Sequence, residues 1–184
     1  DSGAVYFYSH DGSGWQKSGP LHSTIAVSYG YFGRQLSING DLLAVTSNDN
    51  FNARGLVELF KFNGSSWIHT QTLFPADGSA DNEFGRQLDW SDNRLFVSQS
   101  QATVNGETEA GCVWIYEIGE DGTAGPPVQL MAPIATAGEE YGGKMIAAHG
   151  GVFVSSLNAP NGLHSVTRHS LGTDPPSLTN TFNP

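Results

Sequence analysis

Short runs of alternating apolar and polar residues fill most of the chain, and each run is closed by Gly, Asn, Asp or Ser. A period of two between turn residues is the pattern of half-buried β-strands, and no stretch carries the three-to-four spacing of an amphipathic helix. The clearest unit begins at Phe32, where RQLSI leads through Asn39-Gly40 into DLLAVTS. Asn-Gly between two such runs predicts a tight hairpin, because both central residues of a type I′ turn need positive φ. A polar loop, Gly55 and the strand LVELFKF follow, and then Asn63-Gly64 and a fourth strand from Trp67 to Leu73.

The unit recurs. FGRQL occupies Phe32–Leu36 and again Phe84–Leu88, and a looser copy, EYGGKM, starts at Glu140. The second copy turns at Ser91-Asp92-Asn93 and the third at His149-Gly150-Gly151. Gly111 precedes the third strand CVWIYEI, Asp121-Gly122 makes the next turn, and Val128–Met131 forms the fourth strand. The chain also starts inside the pattern, since Gly3, Trp15 and Leu21 match Gly55, Trp67 and Leu73. The boundaries that follow are a half unit over 1–30, full units over 31–82 and 83–138, a partial unit over 139–170 and a proline-rich tail over 171–184. GLHSVTRHSL, from Gly162, reads as a degraded third strand.

Four antiparallel strands repeating at this period predict an all-β array of propeller-like blades, about three per chain. The third strands agree: Val5/Phe7, Val57/Leu59 and Val113/Ile115 line one face, while Tyr6/Tyr8, Glu58/Phe60 and Trp114/Tyr116 line the other. Both faces are largely apolar or aromatic, as in a sheet sandwiched between neighbours. Phe32 and Phe84 are expected at the blade contacts, with Gly33 and Gly85 permitting close approach, and Tyr141-Gly142 in the same place. On this count the N-terminus offers third and fourth strands and the C-terminus first and second strands. Head-to-tail completion is then expected, with Ala4, Val5, Tyr6, Phe7 and Tyr8 pairing with Val152, Phe153 and Val154 of a neighbouring copy, in a ring or filament. A missing segment of a longer polypeptide is the other source of the complement.

Composition narrows the function. A net charge of −10 with three Lys argues against binding a nucleic-acid backbone. No apolar run is long enough to span a membrane as a helix. Charged residues make up only 14% and Gly reaches 23, a turn-rich composition with many Ser, Thr and Asn that suggests an extracellular or cell-surface protein. Cys112 stands alone, so no internal disulfide forms, and its place in a third strand suits a small core residue.

With these residues laid out, the chain resembles the FG-GAP repeat family, known from integrin α-subunit heads and bacterial surface proteins. The resemblance covers about residues 1–157 and rests on Phe32-Gly33, Phe84-Gly85, Tyr141-Gly142, the hairpins after them and the G-x-V-x-[FLI]-[FY] strands. It implies a β-propeller used for extracellular recognition and adhesion. VTS, VSQS and VSSL stand where Gly-Ala-Pro is expected, so the branch is divergent. The family's Asp-rich calcium loop is replaced by tight turns that cannot supply six to eight oxygens, so no calcium and no other cofactor is expected.

Residues with candidate chemistry are few. Trp15 and Trp67 follow matching turns and could stack on a sugar face, or close the outer edge of each blade's core. Asn63-Gly64-Ser65 is an N-glycosylation sequon at a hairpin tip. Arg34-Gln35 and Arg86-Gln87 recur at unit starts, and the repetition suits a scaffold in which each Arg pairs with an acidic residue such as Glu83 or Asp89. The six His show no metal spacing, and no nucleophile elbow, P-loop or dinucleotide fingerprint occurs. The expectation is a non-enzymatic structural or adhesive module. A glycan-binding lectin and a fragment of a larger surface adhesin are the alternatives.

Overall fold

The computed structural model describes residues 2–25, 30–47, 54–75, 83–148, 150–157, 165–172 and 177–182. Among these the secondary structure is all-β, in four antiparallel sheets. The first sheet is a hairpin of β1 (Val5–His10) and β2 (Trp15–Leu21). The second contains β3 (Leu36–Asn39), β4 (Leu42–Ser47), β5 (Leu56–Phe62) and β6 (Trp67–Leu73). The third contains β7 (Phe84–Ser91), β8 (Arg94–Gln99), β9 (Cys112–Glu117) and β10 (Val128–Met131). The fourth contains β11 (Tyr141–Ala148), β12 (Gly151–Ser156), β13 (Ser165–Ser170) and β14 (Ser177–Phe182). Each full sheet is a plain meander, with strands adjacent in sequence also adjacent in space.

The sheets stack face against face through three apolar cores. Val5 and Phe7 of the first sheet meet Leu43, Val45 and Phe60 of the second. Val57 and Leu59 of the second meet Leu95, Val97, Trp114 and Tyr116 of the third. Val113 and Ile115 of the third meet Val152, Val154 and Met145 of the fourth. β5 and β9 therefore each send one set of side chains forward to the next sheet and the other set back to the preceding one, as their two-sided apolar pattern requires. The third strand of the first sheet has no preceding sheet among the described residues, and Tyr6 and Tyr8 on that face are 46% and 60% exposed, whereas the equivalent Glu58 and Phe60 are buried.

The C-terminal region differs from the expected partial unit and tail. Residues 165–170 and 177–182 complete the fourth sheet as β13 and β14. β12, which carries Val152, Phe153 and Val154, is paired on one side with β11 and on the other with β13. With both edges occupied it has no hydrogen-bonding groups to offer the β1 edge of another copy. The expected head-to-tail pairing through Val152–Ser156 does not fit this sheet, and the only two-stranded sheet among the described residues is the N-terminal one.

Candidate functional site

The FG motif builds a joint between successive sheets. Tyr31, Glu83 and Glu140, directly before the aromatic, all hold positive φ near +50°, and Gly33, Gly85 and Gly142 after it have φ of 95°, 84° and 89°. The amide three residues after the first of these closes the turn: Arg34 to Tyr31, Arg86 to Glu83 and Gly143 to Glu140. The aromatic is thereby turned into the core, and Phe32, Phe84 and Tyr141 are all buried. Each also lays its backbone on the preceding sheet. The Phe32 amide donates to the Ser2 carbonyl at 3.1 Å, Phe84 to Arg54 at 3.3 Å and Tyr141 to Ala110 at 2.8 Å. The next residue is a glycine in every case, and a Cβ on Gly3, Gly55 or Gly111 would collide with the carbonyl oxygen of Phe32, Phe84 or Tyr141. Glycine is required there twice over, by the positive φ and by backbone-to-backbone approach.

Polar ties reinforce the stack. Thr70 donates its hydroxyl to the Gly122 carbonyl at 2.6 Å, and the Ala124 amide donates to Gln71 Oε1 at 2.7 Å, joining the second and third sheets. Arg94 reaches from β8 to the Leu171 carbonyl at 2.7 Å while pairing with Glu117 at 3.2 Å. Arg86 pairs with Glu83 and lies 3.7 Å from Glu140. This joins the starts of the third and fourth sheets, in the scaffold role that the repeated Arg suggested. Asp89 accepts the Ala147 amide at 2.7 Å and is spent in the same way.

At the hairpin tips, Asp11, Asn63 and Asp121 each turn a side-chain oxygen back onto the turn. Asn63 Oδ1 accepts the Ser65 and Ser66 amides at 3.0 and 2.9 Å, and Asp121 Oδ1 accepts the Thr123 amide at 3.0 Å. Asp11 accepts from Ser13, Gly14 and Gln16. These bonds, led by the Ser13 hydroxyl, hold the Asp11 carboxyl down at about 2. Asn63 is exposed, so the sequon lies at an accessible tip.

Just beyond these tips sit the two tryptophans, and they are not equivalent. Trp67 is stacked on Phe7 with ring centroids 5.5 Å apart and tilted against Phe62 at 5.3 Å, so it closes the core between the first two sheets. Trp15 is 71% exposed and touches only the edge of His10 among the described rings. Beside Trp67 a groove of about 500 Å³ opens between the first and second sheets, lined by Phe7, Tyr8, Pro20, Leu21, Phe62 and the serines 9, 18, 65 and 66. At the matching turn of the third sheet Gly122 lies close to Thr70, Lys61 and Leu42 of the second, whereas Gly64 has open space around it.

A second groove, of about 570 Å³, lies at the turns of the second and third sheets. Of its three carboxylates, Asp41, Asp92 and Glu120, the first pairs with Lys61 at 3.6 Å, and the Asp92 backbone carbonyl accepts Asn39 Nδ2 at 2.6 Å. Among the described residues no group of three His, Cys, Asp or Glu is placed to hold a metal, and no helix is long and apolar enough to cross a membrane. Cys112 is buried in the third sheet's core. No family model matches the chain, and no curated protein matches it in sequence.

Proposed function

We propose that this chain is a stretch of FG-GAP-like β-propeller that works outside the cell as a non-enzymatic structural and adhesive module. The observation that carries the reading is the joint at Gly3–Phe32, Gly55–Phe84 and Gly111–Tyr141: one backbone device, repeated in phase, stacks sheet upon sheet. Such a device spends its recurring residues on scaffold. Recognition is left to the turns and grooves between sheets, where side chains vary from unit to unit.

A second reading, glycan binding, is favoured by the groove beside Trp67, which combines aromatic walls with four serine hydroxyls. Binding of the purified chain to arrays of extracellular-matrix proteins and of glycans separates the two. Retention on matrix proteins that survives free sugar and the change Tyr8→Ala supports adhesion. Sugar-competed retention that Tyr8→Ala abolishes supports the lectin. Retention on neither array overturns both.

A further inference from the structure

Among the described residues the repeat leaves the free edge of β1 and the strip of the second sheet next to it uncovered. We propose that this strip is a docking site for a β-hairpin of the chain's own first- and second-strand type, whose second strand adds to β1 and covers Leu36 and Ile38.

Two separate observations point to that occupant. The first is hydrogen bonding. β5, β9 and β13, the equivalents of β1, each pair on both sides, with a second strand on one edge and a fourth on the other. Among the described residues β1 pairs with β2 alone. The second is burial. Leu36 and Ile38 of β3 lie opposite Val45 and Leu43, on the face turned to the first sheet, yet they are 51% and 56% exposed. Their equivalents are covered: Met145 is 8% exposed, and Leu88 and Trp90 pack against the core that contains Ala44 of β4. What packs on those strands is the first- and second-strand hairpin of the preceding sheet, and among the described residues that hairpin is what the first sheet lacks. An unpaired edge beside exposed branched side chains is a template for strand addition.

The geometry also states what the hairpin must carry. In the complete sheets a Cβ on the glycine of the FG motif would meet a second-strand hydroxyl residue of the preceding sheet, Thr46 for Gly85 and Ser98 for Gly142, whereas the nearest atoms to one on Gly33 belong to Val5 and Ala4. The docking strand therefore presents an apolar residue and, two positions on, Ser or Thr, as Ala44-Val45-Thr46 and Phe96-Val97-Ser98 do. A second copy of this chain is not the donor. Its hairpins β3–β4, β7–β8 and β11–β12 are already built into sheets, and releasing one would dismantle a core.

The repeat phase supplies the test. Residues 31–54 placed directly ahead of Gly3 put that glycine in the position of Gly55 and deliver a hairpin at the right distance. In this chimera the β1 amides should exchange with solvent at least about tenfold more slowly than in the parent chain. Ala44→Lys in the added copy alone should remove most of that gain. As a check independent of the fusion, a synthetic peptide of residues 31–54 added to the labelled parent chain should shift resonances of β1, Gly33, Leu36 and Ile38. Unchanged exchange in the chimera together with no shift from the peptide overturns the proposal. Shifts confined to β2, β6, β10 or β14 overturn it, since any exposed edge would then serve. A parent chain that dimerises with its β1 amides already protected assigns the site to a second copy instead.

Discussion

His169 shows how a polar residue takes a core position in this protein. It is buried on β13, where Nε2 meets the Tyr141 hydroxyl at 2.7 Å and Thr167 Oγ1 at 3.2 Å, while Nδ1 is buried with no hydrogen-bond partner. Burial lowers its pKa below the ordinary value of 6.5 and raises that of Tyr141. The unfolded chain then binds a proton that the folded chain resists. The stability His169 contributes is complete above pH 6.5 and is lost as pH falls from there toward its folded pKa. Urea midpoints should fall between pH 7.5 and 5.5, and His169→Gln should flatten that slope. An equal slope in both proteins would place the titration elsewhere. The same side chains explain why the fourth sheet was hard to read. SVTRHS and SLTNTF offer few apolar residues to a period-two pattern, because Thr167 and His169 are buried by hydrogen bonding to Tyr141 rather than by apolar contact. The positive φ of Tyr31, Glu83 and Glu140 was equally hidden, since none is a residue that advertises the left-handed region.

At the scale of the strand, much was legible. The two-faced third strands and the buried FG aromatics follow from residue type and spacing, and the structure has them where the sequence predicts. The β3–β4 hairpin is also present, but its two-residue turn is Gly40-Asp41, with positive φ at Gly40 and not at Asn39, and the expected turn at His149 lies partly outside the described residues. Phe84 is wholly buried between the second and third sheets, so Phe84→Ala should cost about 3–5 kcal/mol in chemical denaturation. A loss under about 1 kcal/mol would show that the ring is not a packing anchor. The turns joining first to second strands are short, and of the three carboxylates in or beside them Asp41 pairs with Lys61 and Asp89 accepts the Ala147 amide, which leaves Asp92 alone, too few oxygens for an ion. Chelation should therefore leave the melting temperature unchanged. A drop of several degrees with EDTA, reversed by calcium, would reveal a bound ion, because removing one lowers stability by mass action. The difference between Trp15 and Trp67 was not legible: the sequence makes them equivalent, and only the presence of Phe7 opposite one of them separates core from surface.

Across the whole molecule, the account rests on successive sheets being locked front to back by a glycine that admits the next FG aromatic. Three shared cores mean that no full sheet is independent of its neighbours, so a break at one joint should weaken the entire stack. Two glycines separate the joint from ordinary backbone preference. Gly64 has φ of 95° and open space around it, whereas Gly55 has φ of 75° and the Phe84 backbone against it. Gly64→Ala should cost about 1 kcal/mol, the penalty of a left-handed residue alone. Gly55→Ala must also push the Phe84 backbone away from its own, and equilibrium urea unfolding should show a loss at least about 2 kcal/mol larger, with one cooperative transition and an unchanged slope. Equal losses for the two substitutions would contradict the joint, and with it the stacked array on which the proposed function stands.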